Sequence, residues 1–281
     1  MKFLLLLTVA TYLFAQTIHS SVSSYYETKN FTNSKQKNDA IVYGVGADIH
    51  SANSAYKIAY EQGDTDTKKS PKLTEDLETA KLFLQYSYKV DDKLSLNINY
   101  INILEDNIAI TQGGQTYGLG IGYKFNLLSL HINNFYTQYD DFNVNQIDTD
   151  IEYKTALNSI KIKFNLLTKY IQIDDTHKNS FTKNADENYF TTGAKFHLHY
   201  QGYHFGSAIY LGKRAFSVMN DGFKIQHHAM EFDETYAIGL GKNISNFVIR
   251  LQYIYATATE LPMSNKDVKV SNTKLLLNYK F

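Results

Sequence analysis

The chain has 281 residues with 28 basic and 28 acidic side chains and no cysteine. That balance offers no basic face for nucleic acid, and the lack of cysteine excludes disulfide scaffolds, thiolate nucleophiles and cysteine-based zinc sites. Mean hydropathy is −0.35, so a bundle of spanning helices, each needing roughly 20 consecutive apolar residues, is excluded as well. Tyrosine (23) and phenylalanine (17) are abundant while proline occurs twice, a composition that favours pleated surfaces over helices. No Pro-rich, Ser-rich or highly charged linker divides the chain, so one domain is expected.

The only long apolar run lies at the N-terminus, where Lys2 precedes Phe3–Leu7 and a further apolar stretch to Ala15. A positive start, a short apolar segment and a small residue at its end describe a secretory signal peptide, which predicts residues 1–15 as leader and 16–281 as the mature domain. Ser20 is the second choice of cleavage site.

Beyond the leader, strands follow one another. A first strand is expected within Val22–Phe31, although Tyr25, Tyr26 and Phe31 break its alternation. Over Leu94–Tyr100, Leu94, Leu96, Ile98 and Tyr100 point one way and Ser95, Asn97 and Asn99 the other. In Tyr117–Phe125 five apolar residues alternate with Gly118, Gly120, Gly122 and Lys124, and in Ile147–Leu157 Ile147, Ile151 and Tyr153 share a face against Asp148, Asp150, Glu152 and Lys154. A helix with this pattern would carry charge through its apolar face, so strand is the reading. Short connections near 50–53, 91–93, 126–127, 157–158, 201–202 and 243–244 alternate with longer polar ones at 33–38, 62–76, 105–115, 140–145, 174–186, 214–229 and 260–267. Six short turns and seven long loops separate about 14 strands, with 12 or 16 as alternatives.

At the C-terminus Thr273, Leu275, Leu277, Tyr279 and Phe281 face one way, and the chain ends on an aromatic. Here it resembles Gram-negative outer-membrane β-barrel proteins, whose last strand ends in Phe with an aromatic two residues before it. By length and strand count it is similar to the small monomeric porins. The resemblance implies an all-β, antiparallel up-and-down transmembrane barrel in the cell outer membrane. It further implies Tyr279 and Phe281 as an insertion signal read by the barrel-assembly machinery, and outer-membrane lipid and small hydrophilic solutes or ions as partners. No cofactor is implied.

Parity then predicts the lumen. A barrel of roughly eight strands is filled by its own side chains, whereas one of about 16 leaves a channel, so 14 strands suggest a water-filled pore, closed only if a loop such as 62–76 or 214–229 folds inward. Lys124, Asp148, Asp150, Glu152, Lys154, Lys161, Lys163, Lys195 and Arg250 are expected to line it, with the basic side chains in excess and hence a weak anion preference. Glu231 and Asp233 are expected to face inward too. A turn at 157–158 would set Glu152 opposite Lys163 and Asp150 opposite Asn165. A turn at Gln201–Gly202 sets His199 opposite His204 with His197 beside them, neighbours able to share a metal ion or a proton. Two other readings stay open. One is a surface-binding barrel acting through its outer loops. The other is a rim hydrolase using Asp140, Asp141, Asp174, Asp175 and His177, which match the outer-membrane proteases in position and residue type only; no Ser and His pair suggests a phospholipase.

Overall fold

In the computed structural model, residues 19–69, 75–106, 110–174 and 179–281 are described; the expected leader lies outside them. Fourteen antiparallel strands close into a single barrel: β1 (His19–Thr32), β2 (Lys37–His50), β3 (Ser54–Thr67), β4 (Leu77–Lys89), β5 (Leu94–Asp106), β6 (Gln115–Phe125), β7 (Leu128–Gln138), β8 (Asn143–Leu157), β9 (Ile160–Asp174), β10 (Asn188–Tyr200), β11 (Tyr203–Arg214), β14 (Met230–Ile244), β15 (Phe247–Glu260) and β16 (Asn265–Lys280). Two further short strands, β12 (Val218–Met219) and β13 (Lys224–Ile225), form a hairpin of their own.

Every barrel strand pairs with its chain neighbour, and β1 closes on β16 from Ser21↔Lys280 to Thr32↔Lys269. The alternation is obeyed. Leu96, Ile98, Leu119, Ile121, Ile249, Leu251, Leu275 and Leu277 are all on the exposed outer face, Leu119 at 66%, an arrangement that suits hydrocarbon and not water. Tyr100, Tyr117 and Tyr136 stand in one row across β5–β7. At the short-turn end Phe247, Tyr279 and Phe281 form a second aromatic band, with ring centroids 4.8 and 5.0 Å apart.

The short turns explain themselves. Asn126, Asn158, Gln201, Gly202 and Ser245 adopt positive φ, the conformation a two-residue hairpin demands and which Asn and Gly tolerate best. This corrects two expected turns. The β8–β9 turn is at Asn158–Ser159, not 157–158, and the β14–β15 turn is at Ser245–Asn246, not 243–244, because Leu157 and Ile244 are poor residues for the left-handed region that Asn158 and Ser245 occupy. Several long connections are shorter than expected: strands run on until only 33–36, 139–142 and 261–264 remain between them.

β1 also explains its weak signal. Tyr25, Glu27, Lys29 and Phe31 face the lumen while Ser24, Thr28 and Asn30 share the outer face with Val22 and Tyr26, so apolar and polar residues occur on both sides.

Candidate functional site

The lumen is not an open pipe. After Arg214 the chain turns inward: Ala215–Ala229 folds into the barrel as a plug carrying the β12–β13 hairpin. Phe216 takes φ 51°, a left-handed value rare for a bulky residue and sustained only where packing holds it. Its ring meets Phe142 edge-on at 4.8 Å and Tyr139 at 6.0 Å. Phe216, Val218 and Ile225 are buried against inward residues of the wall, among them Phe83, Ile101, Phe135, Val144 and Ile171. Each such side chain contributes about 1.5–3 kcal/mol of gross stabilisation.

Polar contacts fix the plug's position. Gln146 donates through Nε2 to the Val218 carbonyl (2.8 Å) and accepts at Oε1 from the Val218 N–H (2.9 Å). Lys169 donates to the same carbonyl (3.0 Å). At the tip, Gln85 Nε2 donates to the Asp221 carbonyl (3.0 Å), and Gly222, at φ 95°, lies so close to Asn99 that a side chain there would collide with it.

The plug leans on β4–β9 and leaves a cavity of about 470 Å³ along the opposite wall. Lys29, Lys81, Lys195, Arg214, Lys224, Arg250 and Lys274 line it, against the single carboxylate of Glu61 among the described residues. Its other walls are apolar, including Phe31, Val42, Met230, Phe232, Ala256 and Val270.

One charge cluster crosses β1, β3, β4 and β16. Lys81 Nζ bonds Glu61 Oε1 at 2.7 Å and the Tyr25 hydroxyl donates to the other oxygen. Glu27 holds Lys29 at 3.7 Å and Lys274 at 3.9 Å, and accepts from Asn272 at 2.9 Å. Lys224 of the plug interacts electrostatically with both carboxylates. Four lysines thus share two carboxylates.

The acids expected in the pore are committed to local partners. Asp148 pairs with Lys169, Glu152 with Lys154 and Lys163, and Asp150 accepts from Asn165 at 2.7 Å. The expected register across β8–β9 is corrected by two residues: Glu152 stands opposite Asn165, Asp150 opposite Leu167 and Lys154 opposite Lys163. The Glu152–Lys163 pair survives as a diagonal contact. None of the three acids lines the cavity.

Of the expected lining residues, the structure brings Lys195, Arg250, His197, His199 and His204 to the cavity. Lys161 and Lys163 stand on the neighbouring strand opposite His199 and His197. Lys124 and Lys154 lie near the short-turn end, away from the cavity. His199 and His204 face each other as expected, with rings 4.3 Å apart, but His204 Nε2 is engaged with Asn243 Oδ1 at 2.6 Å. Among the described residues no group of three or more His, Asp or Glu is arranged to hold a metal ion, so His197, His199 and His204 do not form the metal set considered above. Glu231 and Asp233 do not reach the cavity either: a bulge between Phe232 and Glu234 turns Met230 and Phe232 to it instead. Of the rim acids, Asp141 accepts from Asn179 at 3.1 Å and Asp174 ends β9 opposite Asn143, while Asp175 and His177 lie outside the described residues.

Sequence reading missed Glu27, Lys29, Lys169, Arg214 and Lys224. Lys169 had a signal, since it continues the parity of Lys161 and Lys163. Glu27 and Lys29 were hidden by the irregular β1, and Arg214 and Lys224 by a segment that reads as loop.

No protein-family model matches the chain, and no curated protein resembles it in sequence. Solved structures do resemble it in fold. A bacterial polysaccharide outer membrane secretin aligns with TM-score 0.59 at 8% identity, over 93% of this chain and 98% of that one. The Ralstonia pickettii toluene transporter TbuX aligns with 0.54 at 10%, over 95% and 90%, and the Acinetobacter baumannii outer membrane protein Omp33 with 0.50 at 10%, over 94% and 99%. At such identities the likeness concerns the fold, which is that of outer-membrane barrels.

Proposed function

We propose that this fourteen-stranded outer-membrane barrel is a passive, anion-preferring channel for small solutes, narrowed from within by the Ala215–Ala229 plug. The observation that carries the reading is the cavity beside the plug, where seven lysines and arginines meet one carboxylate. Charges facing a narrow lumen set local ion concentrations within a Debye length, about 8 Å at physiological ionic strength. Glu61, with Glu27 behind it, offsets part of the charge of Lys29, Lys81 and Lys274, which leaves the basic side chains in excess, while Asp148 and Glu152 are spent on Lys154, Lys163 and Lys169.

Reversal potentials across a planar bilayer under a KCl gradient test this. The parent is expected to favour chloride, and the preference to fade near 1 M salt, where screening shortens to about 3 Å. Lys195→Glu with Arg250→Glu is expected to move the reversal potential toward the cation side. A cation-selective parent, or a double variant indistinguishable from it, overturns the reading.

A further inference from the structure

Among the described residues, Arg214 is the one charged side chain of the lumen with buried donors that lack a partner. It closes β11 where the chain departs into the plug, and only 1% of it is exposed. Nη2 donates to the Thr235 hydroxyl. Nε and Nη1 are buried with no hydrogen-bond partner, and no ion pair forms with Asp233, the acid within reach of its field. The rings of Tyr210 and Phe232 lie 5.6 and 5.5 Å from the guanidinium carbon. Those contacts flank the planar group and leave Nε and Nη1, two in-plane donors on opposite sides of it, unpaired.

A buried guanidinium lacking acceptors is unfavourable for the fold alone, so its position is explained better by something that completes it. Arg214 lines the same cavity as Lys195 and Tyr210. Around this end the wall is apolar: Phe31, Met219, Met230, Phe232, Ala256 and Val270. Met219 of the plug lines the cavity too, packed with Tyr210, and an unbranched thioether side chain yields readily to a ligand. The volume falls within the range of small-molecule sites, roughly 300–1,000 Å³.

We propose that this cavity binds an organic monocarboxylate with an apolar body, whose carboxylate accepts a charge-assisted hydrogen bond from one of the free donors of Arg214, Nε or Nη1, and whose body lies against the Phe31, Met230 and Phe232 wall. The inference deepens the anion-channel reading and rests on it for the route by which the ligand arrives.

Benzoate is a suitable probe, with benzyl alcohol as its neutral counterpart, titrated calorimetrically into the refolded full-length barrel in maltoside micelles. Saturable benzoate binding is expected for the parent, and none for benzyl alcohol. Arg214→Gln and Arg214→Met are expected to weaken benzoate binding at least tenfold, with Arg214→Lys between. Because a methionine removes an incomplete buried charge, unliganded Arg214→Met is expected to unfold no earlier than the parent, and benzoate to raise the unfolding temperature of the parent alone. Should a variant fail to fold, photolabelling of the parent with 4-benzoylbenzoate decides instead: labels on the Met219 or Phe232 peptides support the site, and labels only elsewhere overturn it. A parent without saturable binding, or an Arg214→Met barrel that binds benzoate like the parent, also overturns it. Anion-preferring currents with benzoate binding indifferent to Arg214 would defeat this inference alone; Arg214-dependent binding in a barrel without anion preference would defeat only the channel reading.

Discussion

His228 sits half-buried at the exit of the plug, with Lys37 Nζ 3.1 Å from its Nδ1 and the His227 ring 4.3 Å away. Burial first, then the charges of Lys37, His227, Lys81 and Lys29, hold this imidazole well below its usual range. When the plug is undocked, the same ring takes up a proton below about pH 6.5. The docked form therefore binds fewer protons than the undocked form in that window, so docking is at full strength above the ordinary imidazole pKa and weakens as pH falls beneath it. Conductance is expected to rise as the bath is taken from about pH 7.5 to about pH 5, and His228→Gln to flatten that rise; a parent with no pH step contradicts this account. At this scale the sequence was legible wherever a residue sat in a clean alternation, as Lys195 and Arg250 do. It was silent on Arg214 and His228, because their importance comes from a loop that folds inward and from neighbours far away in the chain.

Among the elements, β6 and β16 were readable residue by residue, because one face meets an apolar surround and the other does not. β1 was not: its inner face near the loop end is apolar at Phe31, which packs with Met230, Ala256 and Val270 of the adjoining wall. The two misplaced turns follow the same lesson, as hairpin position is fixed by which residue accepts positive φ and not by where the apolar run stops. Closure depends on β1 and β16 jointly. The Phe281 N–H donates to the Ser20 carbonyl at 2.9 Å, and its ring meets Tyr279. Deleting Phe281 is expected to reduce the fraction of heat-modifiable, assembled barrel in the outer membrane. If truncated and full-length chains assemble equally, the terminal aromatic carries no insertion signal.

For the molecule as a whole, the wall and the plug are separable in energetic terms. The wall is a continuous ladder of fourteen strands to which the plug contributes no strand, whereas the plug is held by side-chain burial and a few bonds to Gln146, Lys169 and Gln85. Replacing residues 216–228 with a short Gly-Ser linker is expected to leave the barrel assembled and raise single-channel conductance several-fold, seen as larger steps in the bilayer. Unchanged steps would mean that the plug is not the constriction. The strand count and the outward face were legible in the sequence. The plug was legible only as one of two loops, 62–76 and 214–229, long enough to fold inward; its packing was not, because a segment with Phe216, Val218 and Ile225 spaced among polar residues has neither strand nor helix period and acquires its apolar partners only once the ring is closed. That ring has a further consequence. Since Ser20 and Phe281 are hydrogen-bonded neighbours, joining the ends of β1 and β16 by a short link would add a seventh tight turn to the six already at that rim. New termini could then be cut into a connection at the other rim, such as 33–36. Circular permutation of this kind is tolerated where chain ends meet at the surface, and it would turn β2 into the first strand of an unchanged wall.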